Sequence, residues 1–331
     1  MRGTLRAGVI GLGTMGRNHT RVLQSLPDIE LVAAVDIHDH PHQAPMGIDV
    51  LRSIRDLIDR GIDFCVVATP TRTHKEIGLE LAEAGVATLI EKPLAHDYKS
   101  TQVIVEAFAR NDVLGCVGHI ERFNPALQNM RRRLACGQLG NLYQVATRRQ
   151  GPFPARIIDT GVILDLAIHD IDLTTWVTSS SYRCVSARVA HPSGSDREDL
   201  VSAVAELSGG VVATHLVDWL SPFKERVMTV MGEFGCFVAD TLTSDLTFYQ
   251  SDSQSPRWGR VSASQKVSEG CIIRYSIPKL EPLLTELSNF AAAVRGESAQ
   301  LVTLQEGLAA VCVAESLLES AETGETVELA D

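Results

Sequence analysis

A glycine-rich turn near the start of the chain constrains its fold more than any other segment. Residues 6–10 form a short apolar run, GLGTMG follows at 11–16, and a helical pattern comes next. A strand, a G-x-G-x-x-G turn and a helix in this order are typical of a nucleotide-binding βαβ unit. Gly11 permits the tight turn, Gly13 lets the backbone approach a pyrophosphate, and Gly16 lets the helix pack closely on the strand.

The helix after this turn offers free backbone N–H groups, with Thr14 and Met15 in its first turn, to phosphate oxygens. A second strand ends at Asp36, twenty residues past Gly16. A carboxylate at that point accepts hydrogen bonds from the ribose 2′-hydroxyl and repels a 2′-phosphate. The segment therefore predicts an NAD site that disfavours NADP. The alternative is a Gly-rich turn with an ordinary Asp at a strand end.

The first third of the chain alternates strand and helix patterns, which predicts a doubly wound parallel sheet. The expected elements are strands at 64–68, 87–90 and 113–117 and helices at 73–84 and 98–110. The segment 37–46 is too rich in Pro and His for a full helix. His38, His40 and His42 could bind a metal, but a solvated loop is favoured, and we predict no metal site.

After Gly118 the pattern changes to longer strands separated by turns, which predicts a large, mostly antiparallel open sheet in an α+β domain. The expected strands are 142–148, 186–190, 200–207, 211–217 and 225–231; helices at 284–294 and 304–320 close the fold, and 251–264 is a loop. The predicted domains are therefore a Rossmann domain at 1–118 and a substrate-binding and oligomerisation domain at 119–331.

Composition narrows the class of protein. The chain has 331 residues, 45% hydrophobic and 21% charged, with a net charge of −11, which argues against nonspecific nucleic-acid binding. No apolar run is long enough to span a membrane, so we do not expect a membrane as a partner. Its seven cysteines are scattered and form no C-x-x-C, so we expect buried reduced thiols in a cytoplasmic protein.

The segment GVILDLAIHDID at 161–172 holds the candidate chemistry. Asp165 and His169 lie four residues apart, so on a helix they share one face, as a general base oriented by a carboxylate would. A plain ion pair on a helix surface is the alternative. Lys92, in EKP at 91–93 after a strand, is expected to face the cofactor crevice, where it can donate to a substrate oxygen.

Together these motifs resemble the Gfo/Idh/MocA family of sugar and cyclitol dehydrogenases. The matches are GLGTMG, Asp36, ATPT at 68–71 with His74, EKP, the 161–172 segment and ELSNF at 286–290. The resemblance implies a catalytic set of Lys92, Asp165 and His169, with either His169 or Lys92 as the base. It also implies cofactor contacts by Thr69, Pro70, His74, Glu91 and Lys92, and a homodimer or homotetramer.

Two further segments, at 118–125 and 148–156, resemble the branch of this family that acts on UDP-linked amino sugars. The implied reaction is oxidation of the C3 hydroxyl of UDP-N-acetylglucosamine, whose keto product would feed a pyridoxal-phosphate aminotransferase in envelope glycan (lipid A) synthesis. A free sugar, an inositol or a deoxysugar ketone is the alternative substrate, and a non-catalytic NAD sensor is the second alternative. Besides His169, the candidate substrate contacts are Glu121, Arg122, Asn124, Arg149 and Arg156. The arginines could instead form interdomain salt bridges.

Overall fold

The computed structural model describes residues 3–37, 47–153, 160–251 and 269–329. The chain forms two compact units. The first comprises residues 1–120, 158–160 and 281–315, and the second comprises 121–157, 161–280 and 316–331. The predicted boundary follows residue 118, and the first break between the two units follows residue 120. Residues 281–315, which were expected in the second domain, belong to the first unit.

The strands of the first unit are β1 (Leu5–Ile10), β2 (Ile29–Val35), β3 (Asp49–Leu51), β4 (Phe64–Val67), β5 (Ala87–Glu91) and β6 (Gly115–Gly118). Among the described residues they form a six-stranded sheet in the order β3-β2-β1-β4-β5-β6. All five neighbouring pairs are parallel. This order reverses between β1 and β4, which is where ligands bind in such sheets.

The helices are α1 (Thr14–Ser25), α2 (Ile54–Asp59), α3 (His74–Glu83), α4 (Tyr98–Arg110), α5 (Pro125–Ala135), α6 (Ile168–Thr178), α7 (Pro282–Val294) and α8 (Leu304–Thr323). Helices α2, α3 and α4 supply one apolar core of the first unit, and α1 and α7 supply another. The predicted doubly wound arrangement is confirmed.

Helix α7 belongs to the first unit because its apolar stripe completes the core beside α1. Leu283, Leu287 and Phe290 are all at most 4% exposed. The ring of Phe290 packs edge-on against Phe64 of β4, with ring centroids 5.3 Å apart. Such burial of large apolar side chains is the main stabilising contribution in a core, so the sheet and α7 form one folding unit.

The strands of the second unit are β7 (Leu142–Gln150), β8 (Tyr182–Ala190), β9 (Leu200–Leu207), β10 (Val212–Asp218), β11 (Glu225–Gly232), β12 (Gly235–Asp240), β13 (Asp245–Ser251), β14 (Glu269–Tyr275) and β15 (Val327–Glu328). Within the described ranges they pair in the order β14-β13-β12-β11-β7-β10-β9-β8-β15. Among these described strands only β7 and β10 pair in parallel, and the other neighbouring pairs are antiparallel. The predicted mostly antiparallel sheet is confirmed.

Helices α5 and α6 pack on this sheet, α5 against β12 and β13 and α6 against β7. Along β10, Ala213 and His215 are buried, whereas Val212, on the alternate side, is exposed. Val204 and Tyr249 are also exposed apolar side chains of the sheet. The sheet is therefore covered on one face and open on the other.

All seven cysteines are free thiols. Only Cys65 and Cys116 are buried, however, while Cys136 and Cys271 are exposed. The expectation that the thiols are buried is therefore wrong for those two, which lie at a helix end and on a terminal strand of the sheet. No helix among the described residues is long and apolar enough to cross a membrane.

Candidate active site

The glycine turn between β1 and α1 has the geometry that a bound pyrophosphate needs. Gly11 has φ +93°, and a Cβ there would lie 2.6 Å from the carbonyl oxygen of Ala68. At Gly16 a Cβ would lie 1.8 Å from the Gly11 carbonyl oxygen, so the helix packs tightly on the turn. At Gly13 a Cβ would point into open space, and no side chain caps the start of α1. The first N–H groups of the helix, around Thr14 and Met15, are thus left for an anionic ligand.

Asp36 follows directly after β2 and is held against the same turn. Its Oδ2 accepts the backbone N–H of Leu12 at 2.7 Å, and Nη1 of Arg52 donates to its main-chain oxygen at 2.9 Å. The side chain is largely buried. This carboxylate is fixed at the strand end where an adenosine ribose is expected, so the residues present fit NAD.

His74 connects the two loops that carry the ATPT and EKP motifs. Its Nε2 lies 2.9 Å from the carbonyl oxygen of Thr69, and its Nδ1 lies 3.0 Å from that of Pro93. Burial lowers the pKa of this imidazole, although the two carbonyl groups and Glu91 oppose that effect. The ring is buried, so it supports the loops, whereas Pro70 beside it is exposed. Direct contact of Thr69, Pro70 or His74 with the cofactor stays a prediction.

A cluster of buried ionisable groups lies next to Lys92. Oε1 of Glu91 lies 2.8 Å from Nε2 of His19, and its Oε2 accepts the backbone N–H of Lys92 at 3.3 Å. Burial raises the pKa of Glu91, but the hydrogen bond and charge of His19 and the charge of Lys92 outweigh it, so the pKa lies below its usual value. Glu91 is therefore ionised and fixes the main chain at Lys92, which is itself half-buried.

Glu286 of α7 faces this cluster as a second buried carboxyl group. Burial and the nearby charge of Glu91 raise its pKa well above the usual value. Among the described residues neither of its oxygens has a hydrogen-bond partner. Sequence reasoning missed His19 and Glu286. Each occupies the buried stripe of an amphipathic helix, at a spacing where an apolar residue is expected, and that mismatch was the available signal.

In the second unit, Asp165 and His169 lie in one continuous helical segment. Asp165 belongs to a π-helical turn, Ile163–Ala167, and His169 lies in the first turn of α6. Both side chains are largely buried, 7% and 8% exposed. An α-helix was expected throughout, so the π turn is a difference, and such turns are often found at functional sites. Lys92, the third residue of the predicted catalytic set, belongs to the first unit.

Arg149 of β7 is the centre of a buried charge cluster. Its guanidinium bonds Oε1 of Glu121 at 2.9 Å and Oδ1 of Asp170 at 3.0 Å, and Arg226 reaches the same Glu121 oxygen at 3.2 Å. Burial raises the pKa of Glu121, but Arg149 and Arg226 lower it by more. The pKa therefore lies below its usual value, and this carboxyl group stays ionised. Burial also raises the pKa of Asp170, an effect that Arg149 only partly offsets.

Arg122 and Asn124 are also engaged within the second unit. Arg122 makes a two-point ion pair with Asp172, and both side chains are at most 5% exposed. Asn124 caps α5 through Oδ1, which accepts the N–H of Ala126 at 3.0 Å, while its Nδ2 donates to the Thr241 carbonyl. The salt bridges of Arg122 and Arg149 lie within one unit and are not the interdomain bridges considered above. Substrate contact by Glu121, Arg122, Asn124 and Arg149 stays a prediction; Arg156 and His38–His42 lie outside the described residues.

The parallel sheet, the glycine turn and the fixed Asp36 together define a protein of the NAD-binding Rossmann class. Residues 5–119 match the family model described as an oxidoreductase family with an NAD-binding Rossmann fold. Residues 127–238 match the Gfo/Idh/MocA C-terminal domain. The chain belongs to the Gfo/Idh/MocA family, and its cofactor is NAD.

Similar proteins act on different alcohols. The chain is 27% identical to a UDP-N-acetylglucosamine 3-dehydrogenase from Acidithiobacillus ferrooxidans, over 88% of both chains. It is 30% identical to inositol 2-dehydrogenase 2 from Saccharopolyspora erythraea, over 99% of this chain and 96% of the relative. A solved structure of a UDP-N-acetylglucosamine 3-dehydrogenase from Acidithiobacillus ferrooxidans superposes with TM-score 0.83 at 24% identity, covering 98% of this chain and 99% of that one. The fold is thus shared, and the sugar or inositol class of substrate is common to these relatives.

Proposed function

We propose that the protein oxidises the C3 hydroxyl of UDP-N-acetylglucosamine with NAD, giving the 3-keto sugar nucleotide. The observation that carries the dehydrogenase chemistry is the Asp165–His169 pair, two largely buried ionisable side chains on one helical segment. The UDP-amino-sugar assignment is supported by the 27% identical relative, which aligns over 88% of both chains.

Each residue of the catalytic set has a proposed role at the reacting hydroxyl. His169 takes the O3 proton, Asp165 orients the imidazole, and Lys92 stabilises the developing negative charge on O3. The reverse assignment, with Lys92 as the base and His169 as the hydrogen-bond donor, remains the alternative. NAD, when bound, supplies the hydride acceptor for C3. Glu91 serves Lys92 by holding its main chain.

Oxidation of a free polyol such as an inositol is the second candidate, and a specific feature of the second unit favours it. A diphosphate needs cationic donors that are free to turn toward it. The guanidinium groups of Arg122 and Arg149 are instead buried and paired with Asp172, Glu121 and Asp170. An uncharged polyol would leave these ion pairs undisturbed.

The test compares the two substrate classes directly. Purified protein with NAD is incubated with UDP-N-acetylglucosamine or with myo-inositol, and NADH is followed by its absorbance. Because formation of the 3-keto sugar can be uphill, the UDP-sugar arm is repeated with an aminotransferase, pyridoxal phosphate and an amino donor. We expect NADH to form with the UDP-sugar, and we expect the rate of its formation to fall in the His169→Asn variant. If NADH forms with myo-inositol and does not form with the UDP-sugar, even in the coupled assay, the substrate is reassigned to the polyol.

The same proposal implies the surroundings of the enzyme. A pyridoxal-phosphate aminotransferase would consume the 3-keto product, and the reaction would take place in the cytoplasm. The open sheet face, with exposed apolar side chains such as Val204, Val212 and Tyr249, supports assembly into a homodimer or homotetramer. Sedimentation of the purified protein distinguishes these two from a monomer.

A further inference from the structure

Glu198, in the connection between β8 and β9, holds the beginning of the helical segment that carries Asp165. Its Oε1 accepts the backbone N–H of Ile163 at 2.9 Å. Its main-chain oxygen accepts the N–H of Val162 at 3.0 Å. The residue is only 7% exposed. One residue, distant in sequence, therefore binds two consecutive N–H groups that the start of a helix leaves without intrahelical partners.

Gly161 makes this contact possible. A Cβ atom at that position would lie 2.0 Å from Oε2 of Glu198 and 2.1 Å from its Cδ. Real atoms do not approach so closely, so any side chain at residue 161 would push the carboxylate away. The glycine that opens the 161–172 segment is thus explained by a carboxylate that the motif itself does not contain.

The held segment is the π turn, and the shape of this turn determines how Asp165 relates to His169. In an α-helix four residues advance by about 40° more than one full turn, which offsets two side chains at that spacing. A π turn is wider, with i→i+5 hydrogen bonds, so each residue rotates less and this offset shrinks. Here the N–H of Ile168 bonds the carbonyl oxygen of Ile163, which is the π pattern. The π turn thereby brings Asp165 and His169 closer to one line along the helix.

A negative charge at this place is also electrostatically favourable. The start of a helix carries partial positive charge, which attracts a carboxylate. The first residues here, Val162 and Ile163, offer no side-chain oxygen of their own, and no side-chain cap is present at Val162. Glu198 supplies from another part of the fold what a local Ser, Thr or Asp normally supplies at a helix start.

We propose that Glu198 is a positioning residue for the Asp165–His169 pair, because it anchors the π turn that sets their relative placement. Glu198 touches neither substrate nor cofactor in this role; it acts through the backbone of Val162 and Ile163. The inference rests on the proposed function of Asp165 and His169 as the proton-transfer pair, whatever alcohol the enzyme oxidises.

The test uses three single variants, one double variant and one matched control in the full-length protein. Glu198→Ala removes the acceptor, and Glu198→Gln keeps an oxygen acceptor but no charge. Gly161→Ala displaces the carboxylate from the other side. Glu206→Gln on β9 is the control, because that carboxylate is paired with Arg183 at the surface, with both side chains about half exposed.

Hydrogen exchange without any ligand is the first measurement. We expect the amides of residues 162–169 in Glu198→Ala to lose protection by about 5- to 30-fold, the factor that corresponds to a lost helix cap. In Glu198→Gln these amides should lose less protection, and in Glu206→Gln their protection should not change. The double variant Glu198→Ala/Gly161→Ala should be no worse than Glu198→Ala alone, since both changes break the same contact.

Kinetics is the second measurement, made with whichever alcohol the unmodified enzyme oxidises. We expect kcat of Glu198→Ala to fall between about 10- and 100-fold, as expected for a misplaced catalytic group, with the Kd for NADH unchanged. The midpoint of the acidic limb of the kcat/KM pH profile should move down, because a misplaced Asp165 no longer supports a protonated His169. Glu198→Gln should restore most of both properties.

Two results overturn the proposal. One is unchanged exchange of residues 162–169 in Glu198→Ala. The other is increased exchange with an unaltered kcat and pH profile, which would make Glu198 a purely structural cap. Since exchange needs no substrate, failure of the UDP-sugar assignment leaves that arm intact, and the two failures remain distinguishable.

Discussion

Arg122 and Asp172 form a two-point ion pair inside the second unit. Nε of Arg122 donates to one carboxylate oxygen of Asp172 at 2.8 Å, and Nη2 donates to the other at 2.6 Å. The guanidinium also lies 5.9 Å from the centre of the Trp176 ring. Parallel hydrogen bonds of this type give both strength and fixed geometry. Asp172 lies three residues past His169, so this pair fixes α6 close to the proposed base.

Replacing Arg122 by Leu should destabilise the second unit strongly. The change leaves Asp172 buried without its cation, which costs about 3–5 kcal/mol. Trp176 and Trp219 belong to the second unit, so tryptophan fluorescence in urea follows its unfolding. The control is Arg183→Leu, which breaks an exposed pair with Glu206 and should cost at most about 1 kcal/mol. An unchanged unfolding midpoint together with a raised KM for UDP-N-acetylglucosamine would instead assign Arg122 to the diphosphate.

Asp36→Ala should weaken the preference for NAD over NADP. The variant loses the acceptor predicted for the ribose and the bond to Leu12, while Arg52 stays beside the vacated position. Because a hydrogen bond to a charged group contributes about 1.5–3 kcal/mol, kcat/KM for NAD should fall by about 10- to 100-fold. The ratio of kcat/KM for the two cofactors is the measurement. Asp49→Ala on β3 is the control, and undiminished discrimination by Asp36→Ala would remove Asp36 from ribose recognition.

His169→Asn should lower kcat by on the order of 100-fold or more, the usual contribution of a general base. Binding of NADH, followed by fluorescence, should be unchanged, because the dinucleotide residues lie in the first unit. His191→Asn, at an exposed position, is the control. Comparing pH–rate profiles with those of Lys92→Met then identifies the base as the residue whose loss removes the acidic limb. A full rate in His169→Asn excludes it from proton transfer.

Glu286→Gln should stabilise the protein at neutral and higher pH. The folded-state pKa of Glu286 is raised by burial and by the charge of Glu91, so the folded chain favours the protonated form. Such a group contributes stability below its unfolded pKa of about 4.3, and this contribution is lost as pH rises through the folded pKa. The glutamine resembles the protonated acid and does not titrate.

The melting temperature measured from pH 4 to pH 8 checks this expectation. The gain from Glu286→Gln should be small at pH 4 and reach at least roughly 2–4 °C at pH 8, which corresponds to about 1 kcal/mol for a domain of this size. Glu281→Gln, at the start of the same helix and half-exposed, is the control. A gain that does not depend on pH would mean that folding does not raise the pKa of Glu286, and would contradict the expectation.

Local pattern predicted much of the fold. Helix Tyr98–Arg110 and strand Leu200–Leu207 agree with the expected limits to the residue. Asp97 caps that helix through Ser100, and regular alternation marks the strand. The glycine turn and Asp36 were likewise identified, because their chemistry depends on neighbours close in sequence or on one strand end.

What sequence could not predict depends on partners that are distant along the chain. Arg149 was predicted as a candidate substrate contact or a partner in a salt bridge, and only the fold shows that Glu121 and Asp170 bind its guanidinium. The π turn was missed because its anchor, Glu198, is contributed by a remote loop. The sequence alone does not show whether the partner of an arginine is a carboxylate of the protein or a ligand.

The placement of helix α7 has a consequence for synthesis on the ribosome. The six parallel strands are complete in the nascent chain by residue 118, but the core beneath Phe64 still lacks Leu283, Leu287 and Phe290. These residues are translated only after eight of the nine strands of the second sheet, β7 to β14, have been made. The apolar surface of the nucleotide-binding unit that α7 covers therefore stays exposed in the nascent chain until translation is nearly finished. The glycine turn and Asp36 are thus translated early, whereas the apolar core next to them is completed late.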